Sequence, residues 1–195
     1  MNTRPFASII SIIFHPLIIS FAAFYILLFE SGMSKTENAV NVLIVCFIFS
    51  NLIPILTVLT LKKFGKISDL DASKRDQRIL PLTLGIIYSG TAFLILTYMK
   101  ADPLVRGLMF CYMANTIVTI IITKYWKISI HAMGVAAPLA ALWIAGIQFP
   151  LSVIAILASV SYSRVVLKAH TSLQVIVGSI IGFYLTYSQL YFFFV

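Results

Sequence analysis

Residues 163–174, with the sequence SRVVLKAHTSLQ, form a cationic, histidine-bearing break between two apolar runs. The run before the break starts near Leu151, and the run after it continues to Val195. An ionisable side chain at a membrane boundary is costly, and its presence there indicates a functional role by default. The stretch therefore predicts two membrane helices with a candidate site between them.

The chain as a whole is too apolar for a soluble protein. Of its 195 residues, 61% are hydrophobic and only 10% are charged, whereas soluble domains carry roughly 25% charged residues. Such a chain must be solvated by lipid, and its length allows one bundle and no separate soluble domain. We therefore predict a single membrane domain over 1–195, in which Cys46 and Cys111 are buried free thiols.

Apolar runs of membrane-spanning length recur along the chain, since a hydrocarbon core of about 30 Å needs roughly 20 apolar residues per helix. We predict an all-α, polytopic integral membrane bundle of six or seven helices, at Phe6–Phe29, Ala39–Leu61, Ile79–Tyr98, Leu104–Thr123, Ile130–Ile147, Leu151–Tyr162 and Leu173–Val195. Pro16 should kink the first helix, and His15 should be a buried polar residue bonded within the bundle. Asn51 should bond to another helix, while Gly178 and Gly182 permit close helix approach.

Three polar segments, 62–78, 124–129 and 163–170, should share one side because each span reverses the chain. That side carries 11 of the 14 Lys and Arg residues, and the other carries Lys35, Lys100 and Arg106. The positive-inside rule places the cation-rich side in the cytoplasm. The bias keeps its sign, 6 against 3, without the five cations nearest the candidate site. We expect a bacterial inner-membrane protein with its site on the cytoplasmic face.

The charge pattern favours a phosphate partner over nucleic acid. The net charge of +8 comes from short inter-helix segments, without a basic helix face. Arg binds phosphate oxygens in bidentate fashion, and Lys binds them as a point charge. One His can attack phosphorus while a second protonates the leaving oxygen. Three histidines with few loop carboxylates make a poor metal site, so we expect no metal and no other cofactor.

Three short motifs occur in a recognisable order. Ser163-Arg164, five residues and His170 match the spacing S-R-x(5)-H. The sequence ISIH at 128–131 keeps the Ser and the His of P-S-G-H, and KRDQRILP at 74–81 has the residue types of K-x(6)-R-P with a different spacing. Over about residues 70–185 the chain thus resembles the type 2 phosphatidic acid phosphatase family, whose site is related to that of the vanadium haloperoxidases.

This resemblance implies a role for each matched residue. His170 would be the nucleophile that forms a phosphohistidine, and His131 would be the acid for the leaving group. The phosphate would be held by Arg164, Ser129, Lys74, Arg78 and Ser163. Lys74 and Arg78, four residues apart, would share a helical face. Gln174 stands where the family has an Asp, so its carbonyl would accept the ring N–H of His170 without adding a charge.

The sequence therefore predicts a membrane-embedded, metal-independent lipid phosphate phosphatase. Its substrate, entering sideways from the membrane, would be phosphatidic acid, phosphatidylglycerol phosphate or a polyisoprenyl diphosphate. One alternative is a non-catalytic bundle that binds lipid or phosphate through a decayed site.

Another alternative is an intramembrane prenyltransferase whose magnesium-diphosphate site uses Asp69, Asp71 and Asp76. Such folds usually need two aspartate-rich loops, and this chain has one. These aspartates are equally suited to pairing with neighbouring cations or capping helices. The simplest interpretation of the remaining loop lysines is that they anchor the membrane boundary; they are Lys62, Lys63, Lys66, Lys124 and Lys127.

Overall fold

A computed structural model describes residues 3–32 and 38–195, which leaves Lys35 outside the described residues. The described part of the chain is helical and contains no strand, which confirms the all-α class. Its helices are α1 (Arg4–Ile13), α2 (Pro16–Tyr25), α3 (Ala39–Phe47), α4 (Ile53–Lys63), α5 (Ile79–Tyr98), α6 (Pro103–Tyr125), α7 (Ile130–Ile144), α8 (Pro150–Val166) and α9 (Ser172–Phe193). Two π-helical turns extend α2 (Ile26–Glu30) and join α3 to α4 (Ile48–Leu52), and a 3-10 turn (Asp76–Arg78) precedes α5.

Five helical stretches are long and apolar enough to cross a membrane. They are Arg4–Glu30, Ala39–Lys63, Asp76–Tyr98, Pro103–Tyr125 and Ser172–Phe193. The helices α7 and α8 are also apolar but shorter, with 15 and 17 residues. Large apolar side chains point outward, and Leu94 and Leu151 are 67% and 83% exposed. Because a soluble surface rarely exposes so much apolar area, these helices indicate an integral membrane protein.

The first span is broken where Pro16 predicts a kink. Proline has no N–H to donate within a helix, and α1 ends just before it. His15 caps the new helix, since its Nδ1 accepts the backbone N–H of Leu17 at 3.3 Å. The break lets α1 pack against α8 while α2 packs against α7.

The predicted close approach at Gly178 and Gly182 is confirmed between α7 and α9. A Cβ atom added to Gly178 would lie 2.8 Å from the carbonyl oxygen of Ser129, and one added to Gly182 would lie 2.7 Å from that of Met133. Gln174 then accepts the Ser129 N–H through its backbone carbonyl, at 3.3 Å. The first turns of α7 and α9 are thereby held side by side.

Two further predictions about the interior are confirmed. Asn51 donates from its side chain to the carbonyl oxygen of Leu17 in α2, at 2.7 Å. Cys46 and Cys111 are buried free thiols. Asn115 of α6 also donates to Thr186 of α9 at 2.7 Å, so polar side chains inside the bundle find partners across helices.

One helix boundary differs from the prediction in a way that matters for the site. The sixth span was expected to end at Tyr162, but α8 continues to Val166 and includes Ser163 and Arg164. Both residues are buried, and the Ser163 hydroxyl donates to the carbonyl oxygen of Val160 at 2.8 Å. Ser163 bonds within α8, and Nη1 and Nη2 of Arg164 bond to Ser11 and Asp71, which allows the helix to continue through both residues. Arg164 therefore projects from a helix and not from a loop.

Candidate functional site

The three polar segments meet at one end of the bundle, as expected from the reversal of each span. Arg78 donates from Nη1 to the carbonyl oxygen of Ile128 at 3.0 Å. Lys127 donates from Nζ to the carbonyl oxygen of Ala169 at 2.9 Å. Because these pairs are separated by 50 and 42 residues in sequence, the contacts define a tertiary cluster.

A cavity of about 350 Å³ lies where these segments meet. Its polar lining consists of His15, Asp71, Arg78, His131, Arg164 and His170. Its apolar wall is built largely by one face of α4, with Pro54, Ile55, Val58 and Leu59. The cavity therefore joins a cationic, imidazole-rich end to an apolar wall.

His170 is held in one tautomer by the capping box of α9. The backbone N–H of Thr171 can only donate, and it donates to Oε1 of Gln174 at 3.2 Å. The same oxygen lies 3.0 Å from Nδ1 of His170, so Nδ1 must carry the proton and donate to it. In neutral His170 the lone pair is then on Nε2. The predicted orienting contact from Gln174 is thus present in the structure.

The surroundings of His170 keep its ring neutral. Burial lowers the pKa of His170 to about 4, the Gln174 hydrogen bond opposes this shift, and the charges of Arg78 and Lys127 add to it. At neutral pH the Nε2 lone pair is therefore free of a proton. An imidazole in this state suits nucleophilic attack on phosphorus.

The two cavity arginines are fixed by contacts with distant parts of the chain. Arg164 donates from Nη2 to Oδ2 of Asp71 at 2.7 Å and from Nη1 to the Ser11 hydroxyl at 3.2 Å. Arg78 donates from Nε to the carbonyl oxygen of Ala72 at 2.9 Å. Since Arg78 and Arg164 are both buried, they place two positive charges at one end of the cavity.

Two histidines face each other beside these cations. The rings of His15 and His131 meet edge to face, with centroids 4.7 Å apart. Nε2 of His131 is buried and has no hydrogen-bond partner among the described residues. A buried polar nitrogen without a partner is costly, which suggests that a ligand or water bonds to it.

Three of the expected phosphate ligands do not reach the cavity. Ser129 is fully buried, and its hydroxyl accepts the N–H of Ala132 as the cap of α7. The hydroxyl proton of Ser163 is used within α8, as described above. Lys74 is exposed, and it precedes the 3-10 turn at Asp76–Arg78, so it shares no helical face with Arg78. The prediction of a phosphate cradle that includes these three side chains is corrected accordingly.

Two cavity residues were not predicted as members of the site. His15 was interpreted as a structural residue, and the histidine before a proline in a membrane span was the available signal. Asp71 was one of three loop aspartates with no distinguishing pattern. Its partner Arg164 lies 93 residues away, a pairing that no local spacing could reveal.

Two of the three loop aspartates, Asp69 and Asp71, are already engaged within the protein. The carboxylate of Asp69 accepts the backbone N–H groups of Asp71 and Ser73, at 3.1 Å each. Asp71 is paired with Arg164, whose hydrogen bond and charge outweigh the effect of burial and lower the pKa of Asp71. Asp71 is thus paired with a cation, but a distant one and not a neighbour in sequence, and Asp69 caps a loop and not a helix. Among the described residues no cluster of three His, Cys, Asp or Glu is placed to hold a metal ion.

The cavity combines anion-binding cations, a neutral imidazole with an available lone pair and a second imidazole with an unpartnered nitrogen. Such a set can bind a phosphate group, attack it and supply a proton to the leaving oxygen. Comparison with protein-family models, curated proteins and solved structures finds no match for this chain. The chemistry of the cavity is therefore the basis for a functional assignment.

Proposed function

We propose that the protein is a membrane-embedded phosphatase that hydrolyses a lipid phosphate through a phosphohistidine intermediate. The observation that supports the proposal is the single cavity in which His170, His131 and two buried arginines face an apolar wall. A phosphate headgroup suits the cationic end, and the first part of an acyl or isoprenyl chain suits the wall from α4. An amphiphile with an anionic head is therefore the best match.

The reaction would proceed in two steps at phosphorus. The Nε2 lone pair of His170 forms the N–P bond, and the P–O bond to the lipid breaks. The leaving oxygen takes a proton from His131, which is an imidazolium while the phosphate dianion is bound and becomes a neutral imidazole. Water then attacks the phosphohistidine and gives its proton to His131, and the N–P bond breaks to release phosphate. Gln174 keeps the Nδ1 proton of His170 in place, while Arg78 and Arg164 neutralise the equatorial oxygens.

The face of the membrane to which the cavity opens determines which lipid phosphates can reach it. If the cation-rich end faces the cytoplasm of a bacterial inner membrane, phosphatidic acid or phosphatidylglycerol phosphate is presented to the cavity. In the opposite orientation a polyisoprenyl diphosphate becomes the better substrate. Labelling of cysteines introduced at Ser34 and Lys66, applied from either side of the membrane, distinguishes the two orientations.

The decisive experiment measures phosphate release from these lipids by the full chain in nanodiscs, in the presence of a chelator. We expect His170→Ala to reduce turnover at least about a thousandfold, because loss of a nucleophile removes the covalent pathway. The matched control is Lys168→Asn, which alters an exposed cation of the same loop. Asn adopts the positive φ of 57° at Lys168 more readily than most residues do.

Each outcome of this experiment has a distinct meaning. Full activity in His170→Ala would contradict the nucleophile assignment. Turnover that the chelator abolishes would contradict the metal-free reaction and favour the magnesium-diphosphate alternative. Phosphate binding without turnover of any lipid would favour the non-catalytic lipid- or phosphate-binding bundle.

A further inference from the structure

The carboxylate of Asp71 is bonded to Arg164, one of the two cavity arginines that would bind the phosphate. Oδ2 of Asp71 lies 2.7 Å from Nη2 of Arg164, and both residues line the cavity. Nη1 of Arg164 also bonds to Ser11, whereas its Nε has no partner among the described residues. A phosphate that binds Arg164 in bidentate fashion through Nε and Nη2 would therefore compete with Asp71 at Nη2. Asp71 therefore stands where the phosphate of the proposed reaction would bind.

The backbone around Asp71 is built to hold this position. Asp69 accepts the N–H of Asp71, and Ala72 adopts a positive φ of 44°, a conformation that is unfavourable for a residue with a Cβ. The carbonyl oxygen of Ala72 accepts Nε of Arg78. Two consecutive residues thus bond to both cavity arginines, one through its side chain and the other through its backbone.

The two partners of the ion pair differ in how far they can move. The side chain of Asp71 is 44% exposed, whereas that of Arg164 is only 6% exposed. A ligand that competes for Nη2 can therefore displace the Asp71 carboxylate into water, where it is readily solvated. Arg164 stays in place because its guanidinium is enclosed by the protein.

We propose that Asp71 is an internal anion that occupies Arg164 in the free protein and is displaced by the phosphate group of the substrate. This inference rests on the proposed phosphate site, and it makes Asp71 a determinant of that site's affinity. A ligand that binds Arg164 better than a carboxylate does displaces Asp71 more readily, so phosphate dianions are favoured over fatty-acid carboxylates. The pairing also keeps Arg164 from being a buried charge without a partner when the cavity is empty.

The contrasting role is that of a positioning residue, in which Asp71 holds Arg164 in the geometry that binds phosphate. The two roles predict opposite signs for one measurement. Removing a competitor strengthens the binding of inorganic phosphate, whereas removing a support weakens it.

The test measures the Kd of inorganic phosphate for the full chain in nanodiscs by isothermal titration. We expect Asp71→Asn to bind phosphate about tenfold more tightly than the native protein, the factor that corresponds to one charge-assisted hydrogen bond. Asp71→Glu should stay close to the native Kd because it restores the competing carboxylate. The control Asp76→Asn removes the same charge from an exposed residue of the same segment and should change the Kd less than twofold.

Weaker or unchanged binding in Asp71→Asn would overturn the inference, as would the absence of phosphate binding in both the native protein and this variant. If Asp71→Asn does not fold, Asp71→Ser provides the same comparison, with a hydroxyl that competes more weakly. Lipid phosphate turnover is measured on the same samples. Tighter phosphate binding without turnover would support the inference and contradict the phosphatase, and turnover with an unchanged Kd would do the reverse.

Discussion

The two halves of the cavity are held in place by different kinds of interaction. On one side, His131 and His170 are positioned by the first turns of α7 and α9, whose backbones touch at Gly178 and Gly182. On the other side, the segment before α5 is positioned by Arg78, which bonds within the segment to Ala72 and across to Ile128, and by Arg164, which donates to Asp71. Shape fixes the histidines, and charge fixes the anion-binding end. The stability of the histidine side should therefore be sensitive to an added methyl group, and that of the anion-binding side to the loss of a cation.

The largest effect is expected from Gly182→Ala, which acts on the half fixed by shape. The added Cβ would lie 2.7 Å from the carbonyl oxygen of Met133 and 2.8 Å from its Cα, and backbone atoms cannot rotate away. We expect α7 and α9 to separate at a cost of about 3 kcal/mol in unfolding free energy. Thermal unfolding in detergent measures this loss.

The matched control for this variant is Gly85→Ala in α5, where the added Cβ would have no neighbour within 4 Å. Because alanine is the better helix former, this control should be neutral or slightly stabilising. If Gly182→Ala were as stable as Gly85→Ala, shape would not be what positions the histidines.

A smaller effect is expected from Arg78→Ala, which acts on the half fixed by charge. The change leaves the buried carbonyl oxygens of Ala72 and Ile128 without their donor. We expect a loss of about 2 kcal/mol in unfolding free energy. The segment before α5 should also exchange its amide hydrogens faster, while the first turns of α7 and α9 stay protected.

Arg75→Ala is the control on the charged side. Arg75 is exposed and donates to the carbonyl oxygen of Tyr125 at 3.1 Å, so its loss should cost less than about 0.5 kcal/mol. Equal losses of unfolding free energy in Arg78→Ala and Arg75→Ala would mean that the burial of Arg78 does not stabilise the segment before α5. Faster exchange in α7 as well would mean that the two halves are not independent.

The residues that could be predicted from the sequence belong mainly to the half fixed by shape. Helix lengths follow from apolar runs, and motif spacings identify His131 and His170. The motifs also identify Arg78 and Arg164 of the charged half, but not the residues with which they pair. Gly178 and Gly182 predict close packing because the absence of a Cβ lets the backbones of two helices approach each other. These signals come from residues that are close together in the sequence, and a single sequence shows only patterns of this kind.

The other half depends on pairings between distant residues. Asp71 and Asp76 look alike in sequence, yet only Asp71 reaches Arg164. His15 lies in the cavity because the break at Pro16 redirects the first span toward α7. Lys74 was placed at the site by its motif, but the 3-10 turn begins two residues later and leaves it exposed. Which loop residue meets which cation is decided by tertiary packing, and no spacing encodes that choice.

The next prediction concerns the missing charge beside His170. In Gln174→Glu the capping box remains, because Glu and Gln serve equally at this position. The new carboxylate should raise the pKa of His170 above its value of about 4 by favouring the charged ring. The pH dependence of stability should change accordingly.

The direction of that change follows from proton binding. Native His170 has a folded pKa of about 4, below the ordinary value of 6.5, so the unfolded chain binds more protons between these values. The stability due to this histidine is present above pH 6.5 and is lost as the pH falls toward 4. In Gln174→Glu the loss between pH 6.5 and 4.5 should be about 1 kcal/mol smaller. Gln148→Glu adds the same charge at the far end of α7 and should leave the loss unchanged; a reduced loss there would make the effect nonspecific.

The smallest expected effect comes from a comparison of Lys74, which the sequence motif assigns to phosphate binding, with Lys127, which the structure places next to the loop of His170. Lys74 is exposed, whereas Lys127 donates to the carbonyl oxygen of Ala169, next to His170, and burial together with the charges of Arg78 and Arg164 lowers its pKa. We expect Lys127→Ala to weaken phosphate binding about fivefold and Lys74→Ala to change it less than twofold. The reverse order would mean that the segment before α5 rearranges on binding and brings Lys74 to the phosphate. In that case the structure would show the segment before α5 as it is without phosphate, and the motif that contains Lys74 would reflect the arrangement of the segment with phosphate bound.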